Sequence, residues 1–272
     1  MTKIINSYLT WHYGDNLIHL NFLRRLAKQH PDISFVHYCD PNQHAQLLPV
    51  ILDLGNIALS GGPLPPDAID AWINTGASHR NPGGWDGKGR FDNHQHRWDY
   101  VAYYLDFFDH LAKQMGLENP VKTPMDMLFD FPALKESRVS NLNFDILVIN
   151  SRPASGQLRW YNDPFCMDHL INRLQHKGHK VACTQETRVP DVYCTAKDRL
   201  SLVDIGNLSL RTTYIVAVST GPIWLTHNIW NLDSVKYRIV LLERQRVHFP
   251  GNGCHVETLD DAARKLQELG IL

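Results

Sequence analysis

Ile4-Ile5-Asn6-Ser7-Tyr8-Leu9, Trp11-His12-Tyr13-Gly14-Asp15, the spaced apolar residues Leu17, Leu20, Leu23 and Ala27, Pro31-Asp32, and Ile33-Ser34-Phe35-Val36-His37-Tyr38 decide the fold. The first run reads as a strand. A loop follows, and the apolar residues at three- and four-residue spacing then mark one face of a helix that continues to about His30. Pro31-Asp32 ends it, and the next run is rich in strand formers. Strand, loop, helix, strand is the first unit of a doubly wound parallel sheet.

Working outward, Pro41–Leu52 reads as a helix, and 56–60 and 68–74 read as strands around the turn-rich Gly61-Gly62-Pro63-Leu64-Pro65-Pro66. Thr75 to His96 is a long polar stretch with five glycines, a length that marks functional or mobile loops. Arg97–Met115 returns to helix, with an apolar stripe of Val101, Tyr104, Leu105, Phe108, Leu111 and Ala112 and a stop at Gly116. Glu118 to Asn143 carries three prolines and no clear period, and Met127, Leu128, Phe129 and Phe131 are expected to pin it to a core.

A second α/β unit starts at Phe144. Asp145-Ile146-Leu147-Val148-Ile149-Asn150 is nearly continuous in apolar residues, as in a parallel strand covered on both faces. Helix is expected over Phe165–Lys177, stopped by Gly178. A strand follows at 179–184, then a helix opening on Ser201-Leu202-Val203-Asp204. Tyr214–Val218 and Tyr237–Leu242 read as strands, the latter as the last clear one. Ile223–Trp230 reads as a short helix and Thr258–Leu269 as a closing one. The expected division is 1–120, a crossover at 121–143, and 144–272, which suits two domains of ordinary size.

Hydrophobic residues at 43 % allow each half a core, and a net charge of −1 argues against a broad nucleic-acid surface. Five cysteines without a C-x-x-C spacing point to a reducing, cytoplasmic setting. Neither a secretory signal nor a run of ~20 apolar residues is read, so at most peripheral membrane contact is expected.

Ligands of open α/β sheets bind beyond the carboxyl ends of the strands. Three loops read there. In His12-Tyr13-Gly14-Asp15, Asp15 is either a helix N-cap worth about 1 kcal/mol or a general base. Ser219-Thr220-Gly221-Pro222 is either a capped turn or a phosphate cradle of backbone N–H groups and hydroxyls. No phosphate-loop or dinucleotide glycine pattern is present, which removes the strongest signatures of an ATPase or a dehydrogenase. Ser151–Trp160 is either a solvated loop or one from which Arg152 or Arg159 meets a diphosphate bidentately. The loop around His94, His96 and Arg97, with Trp85 and Trp98, fits a sugar acceptor better than a metal.

Gly14-Asp15 ahead of the first helix, with Val218-Ser219-Thr220-Gly221-Pro222-Ile223-Trp224-Leu225, resembles the ADP-heptose:lipopolysaccharide heptosyltransferases of glycosyltransferase family 9. The second motif of that family commonly reads Asp-Ser/Thr-Gly-x-x-His-Leu; Ser219 stands here for its Asp and Trp224 for its His. The resemblance implies an α/β fold of GT-B type, two Rossmann-like domains facing across a cleft. It implies a metal-independent, inverting glycosyltransferase of polysaccharide biosynthesis without a cofactor. Asp15 would be the base. Arg152 or Arg159 with Ser219, Thr220, Gly221 and Pro222 would hold a nucleotide-sugar donor on the C-terminal side. His12, Tyr13, Gly14, His94, His96 and Arg97 would meet a saccharide or glycolipid acceptor on the N-terminal side. The alternatives are an inactive sugar- or nucleotide-binding relative and a nucleotide-sugar epimerase or hydrolase.

Overall fold

Alternation builds the first sheet. β1 (Lys3–Tyr8), β2 (Ile33–Tyr38), β3 (Ile57–Ser60) and β4 (Ile69–Asp70) pair in the order β3-β2-β1-β4, every pair parallel. β2 shows the period of two, Ile33 and Phe35 facing in and their neighbours half-buried. The structure is a computed structural model and describes residues 3–10, 12–73, 99–136, 139, 141–153, 158, 160–161, 163–242 and 249–272. The chain divides into two units, Met1–Phe131 with Val247–Phe249, and Pro132–Arg246 with Pro250–Leu272. The boundary at Phe131/Pro132 falls within the proline-bearing stretch between the two sheets.

α1 (Tyr13–Gln29) is buried almost all round: from Gly14 to Ala27 only Arg25 is not buried. The expected face of Leu17, Leu20, Leu23 and Ala27 is therefore only part of its buried surface. Its polar residues have built-in partners. Asn21 Nδ2 donates to the carbonyl of Met127 at 2.8 Å. The Arg24 guanidinium pairs with Asp53 and donates to the carbonyls of Val50 at 2.6 Å and Asp130 at 3.0 Å. Arg24 also lies over the Phe131 ring at 5.4 Å. Met127, Leu128, Phe129 and Phe131 are all buried, as expected, and they serve the first unit.

α2 (Pro41–Leu47) is capped by Asp40, which accepts from Asn42 N at 2.8 Å. It ends five residues sooner than expected and gives way to a 3-10 turn at Leu48–Val50, because Pro49 has no N–H to continue the ladder. The strand expected over 68–74 shrinks to β4, where Asp70 Oδ1 turns the chain by accepting from Trp72 N at 3.0 Å. α3 (Tyr100–Met115) starts at its cap Asp99, which accepts from Val101 N and Ala102 N. Phe107 takes the buried place expected of Leu105. Gly116 stops the helix at φ 68°, a conformation costly for other residues.

The second unit contains β5 (Phe144–Ile149), α4 (Asp168–His176), β6 (Val181–Cys183), β7 (Tyr193–Cys194), α5 (Leu202–Leu208), β8 (Thr212–Val218), α6 (Gly221–Trp224), β9 (Tyr237–Leu241), β10 (Gly253–Val256) and α7 (Leu259–Glu268). Its sheet runs β10-β9-β8-β5-β6-β7, again entirely parallel. Ile146–Ile149 and Ile215–Val218 have no exposed surface, as strands covered on both faces require. Ser201 and Asp204 form the expected reciprocal cap of α5, and Thr258 caps α7.

Three expectations for this unit are corrected. α4 begins at Asp168 rather than Phe165, because Asp163 Oδ1 takes Phe165 N at 2.9 Å and holds a turn there. α6 is one turn long instead of reaching Trp230. Beyond it Thr226 and Asn228 bond back to the carbonyls of Ile223 and Leu225 at 2.7 and 2.8 Å, and Asn228 Oδ1 accepts from Trp230 N at 3.2 Å. β9 is not the last strand, since the half-buried β10 adds an edge beyond it.

Candidate active site

Connectivity fixes where a ligand can bind. Numbered within each unit, the second sheet has the strand order 3-2-1-4-5-6 and the first sheet has its 3-2-1-4 part. Successive crossovers therefore change direction between β1 and β4, and between β5 and β8. Such switch points open a crevice at the carboxyl ends of the strands. The loops after β1, β5 and β8 leave from these points, and among the described residues they lead to Asp15, Arg152 and Ser219–Pro222, which were expected to do chemistry.

In the first unit, His12 is the N-cap of α1, with extended backbone at φ −61° and ψ 148° and no capping side-chain bond. The capping alternative for Asp15 is thereby removed: Asp15 sits at the third helical position. Gly14 is likewise a helical residue and not a turn. Asp15 is only 9 % exposed, and the Tyr104 hydroxyl of α3 donates to its Oδ1 at 2.5 Å. Burial disfavours a lone carboxylate, and this donor offsets part of that cost. Tyr13 is half-buried; its hydroxyl lies 3.4 Å from the Asn42 carbonyl, and burial, with Asp40 nearby, pushes its pKa up.

A buried polar chain supports the same helical turn. His19 Nε2 lies 3.1 Å from Ser7 Oγ, Ser7 Oγ 3.0 Å from His37 Nδ1, and His37 Nε2 2.9 Å from Asn16 Oδ1. Asn16 Nδ2 donates to Gln43 Oε1 at 2.9 Å and to the His12 carbonyl at 3.2 Å. The carbonyl that opens α1 is thus tied through side chains to β1 and β2. Burial holds His37 neutral, its pKa pushed down to about 3; burial, with His37 beside it, also pushes His19 down.

In the second unit, the loop after β8 departs from the expected phosphate cradle in one respect. Ser219 N is already bonded to the Leu241 carbonyl at 3.1 Å, and Pro222 has no N–H. The amides of Thr220 and Gly221 are the donors this loop has left, on a helix too short for a large dipole. Thr220 is half-buried and its hydroxyl bonds back to the Val218 carbonyl at 3.3 Å. Trp224 is buried, so it lines the core beneath the loop.

The adjacent loop after β5 is held by Asn150. Its Oδ1 accepts from Thr184 N at 3.0 Å, Gln185 N at 2.8 Å and Thr184 Oγ1 at 3.2 Å. Its backbone N donates to Thr184 Oγ1 at 3.1 Å, and its carbonyl accepts from Tyr161. Because Thr184 Oγ1 gives its proton to Asn150, Ser151 donates to Thr184 across 3.0 Å. This knot sets the direction from which the exposed Arg152 leaves. Arg159, His94, His96 and Arg97 lie outside the described residues.

Sequence reasoning missed Tyr104, which it placed in an apolar stripe, and the Ser7–His19–His37–Asn16 and Asn150–Thr184 networks. The available signal was a polar group at a core position of each element. Among the described residues no group of three or more His, Cys, Asp or Glu is placed to hold a metal ion. No described helix is long and apolar enough to cross a membrane.

No protein-family model matches the chain, and no curated protein matches it. Solved structures do. The chain is similar to the E. coli ADP-heptose lps heptosyltransferase II (TM-score 0.57, 14 % identity, 98 % of this chain and 97 % of that one). It is similar to the E. coli heptosyltransferase WaaC with ADP-2-deoxy-2-fluoro heptose (0.56, 13 %, 98 % and 99 %). It is also similar to the glycosyl transferase family 9 structure from Veillonella parvula DSM 2008 (0.54, 13 %, 99 % and 90 %). The likeness is one of backbone architecture: over nearly its whole length the chain has the two-unit parallel α/β fold of the family 9 heptosyltransferase structures.

Proposed function

We propose that the chain is a metal-independent, inverting glycosyltransferase that moves a sugar from a nucleotide-sugar donor to a hydroxyl of a saccharide or lipid-linked glycan. The observation that carries this reading is Asp15, a buried carboxylate on the first turn of α1 beside the switch point of its sheet, held by Tyr104. The fold supports it: structures of the same architecture are described as heptosyltransferases, one of them with an ADP-sugar analogue. The five free thiols agree with a reducing, cytoplasmic setting.

In this reading Asp15 accepts the proton of the acceptor hydroxyl as that oxygen bonds to the anomeric carbon. The bond from that carbon to the diphosphate breaks, the leaving oxygen keeps the electron pair, and the anomeric configuration inverts. The amides of Thr220 and Gly221, with Arg152, stabilise the charge growing on the diphosphate, a role metal ions fill in other transferases. His12, Tyr13 and Gly14 would lie against the acceptor.

The test is a thermal-shift panel of UDP, GDP, ADP, CMP and their sugars, with and without EDTA. A ligand at 100 times its dissociation constant adds about 2.7 kcal/mol of stability. We expect one nucleoside diphosphate and its sugar to stabilise the protein equally well in EDTA. If no nucleotide stabilises it, the donor assignment is wrong; stabilisation abolished by EDTA would remove metal independence.

A further inference from the structure

We propose that Tyr104 is the positioning residue of the site: its hydroxyl fixes the Asp15 carboxylate in its charged form and in one orientation toward the acceptor. This deepens the glycosyltransferase reading and rests on it. Tyr104 comes from α3, 89 residues along the chain, and donates to Asp15 Oδ1. Its side chain is 2 % exposed, so the hydrogen bond is shielded from water.

The donor is placed by ring packing. Tyr104 lies 5.7 Å from Phe108 and edge-on to Phe107 at 6.4 Å. Phe108 stacks on Phe22 at 4.5 Å with the rings 3° from parallel. Phe22 belongs to α1, the helix that carries Asp15. The stack therefore joins donor and carboxylate through a rigid path, while Asn16 and its chain hold the backbone of the same turn. A carboxylate accepts through about four lone-pair sites, so the bond from Tyr104 does not by itself exclude an acceptor hydroxyl.

The chemical consequence has a sign. A donor to a carboxylate stabilises the charged form, and burial opposes it. Without the phenol, Asp15 would hold a proton to higher pH and turn more freely about its side-chain bonds. Both changes reduce the fraction of enzyme able to take a proton at neutral pH, and neither touches donor binding.

Among the described residues, the ionisable side chains at this end of α1 include His12, Tyr13 and His19 on the helix and its cap, His37 on β2, Cys39, Asp40 and His44 before and on α2, and Asp99 at the start of α3. His19 and His37 are kept neutral by burial and Asp99 is engaged in capping. An infrared carboxylate band lost in Asp15→Asn identifies the titration of Asp15 among these groups, and it can be followed in the free protein.

The experiment compares wild type, Asp15→Asn, Tyr104→Phe and a variant with 3-fluorotyrosine at position 104, whose phenol is more acidic at nearly the same size. Tyr104→Phe is expected to lower kcat by about 10- to 100-fold with the donor KM within about twofold, and to move the Asp15 band and the acid limb of kcat/KM up by about one pH unit. Fluorotyrosine is expected to move both down. If Asp15→Asn is inactive while Tyr104→Phe and fluorotyrosine leave band and limb in place, the positioning role is overturned and the glycosyltransferase reading stands. If Asp15→Asn transfers sugar at the wild-type rate, the base assignment fails, and this inference with it. Should Tyr104→Phe not fold, the fluorotyrosine variant decides alone.

Discussion

His37 Nε2 stands 2.9 Å from Asn16 Oδ1, and this contact sets the direction of a buried hydrogen-bond chain. An amide oxygen only accepts, so His37 carries its proton on Nε2 and accepts from Ser7 through Nδ1. Ser7 in turn accepts from His19 Nε2, which leaves His19 Nδ1 without a partner. Every member is used in its neutral form, in agreement with the burial that pushes both imidazoles down.

This chain makes stability depend on pH. His37 binds its proton at about 3 when folded and at about 6.5 when unfolded. Between those values the unfolded chain holds more protons, so stability rises with pH. The contribution is complete above about pH 6.5 and is lost as pH falls toward 3. Urea unfolding at pH 7 and 4.5 should show wild type losing about 2–3 kcal/mol more than His37→Gln. Equal losses in the two proteins would contradict the assignment.

Asn150 organises the loop after β5 through one oxygen that accepts three bonds. Asn150→Ala removes the acceptor of Gln185 N and of Thr184 Oγ1, leaves Thr184 N with the Val148 carbonyl alone, and is expected to cost about 1–3 kcal/mol. Asn150→Asp keeps the accepting oxygen and should cost less at neutral pH. Chemical denaturation of both variants checks the order; a more stable alanine variant would show that these bonds are not what holds the loop.

Gly206 sits inside α5, where alanine ordinarily gains about 1 kcal/mol. A Cβ there would lie 2.6 Å from Leu134 Cδ2 and 2.9 Å from Leu225 Cβ, both packed side chains. Overpacking of this kind costs about 1–3 kcal/mol, so the clash outweighs the helical gain and Gly206→Ala should lower Tm. A rise in Tm would mean that Leu134 and Leu225 move aside freely.

The sequence made legible what local chemistry decides. The apolar run Ile146–Ile149 announces a two-sided parallel strand, and Ser201, Thr258, Gly116 and Gly178 mark helix ends that the structure keeps. What depends on distant partners was not legible. β10 has a glycine and a histidine in four residues and is a strand only because β9 offers an edge. Tyr104 looks like any aromatic of an apolar stripe until the fold brings Asp15 to its hydroxyl. Nothing local announces that the polar Asn16, His19 and Arg24 are buried; tertiary hydrogen bonds allow it. The loops after β1, β5 and β8 were legible as strand-to-helix connections; which atoms in them are already engaged, such as Ser219 N, only the pairing of β8 with β9 determines.

The most direct test of the account is the rate of nucleoside diphosphate release by wild type and Asp15→Asn from the nucleotide sugar that stabilises the protein, with a saccharide acceptor present. Turnover by wild type and a fall of about 10²- to 10⁴-fold in Asp15→Asn, with binding retained, are expected if Asp15 is the base. Equal rates in the two proteins, or no turnover of a donor that demonstrably binds, would contradict it.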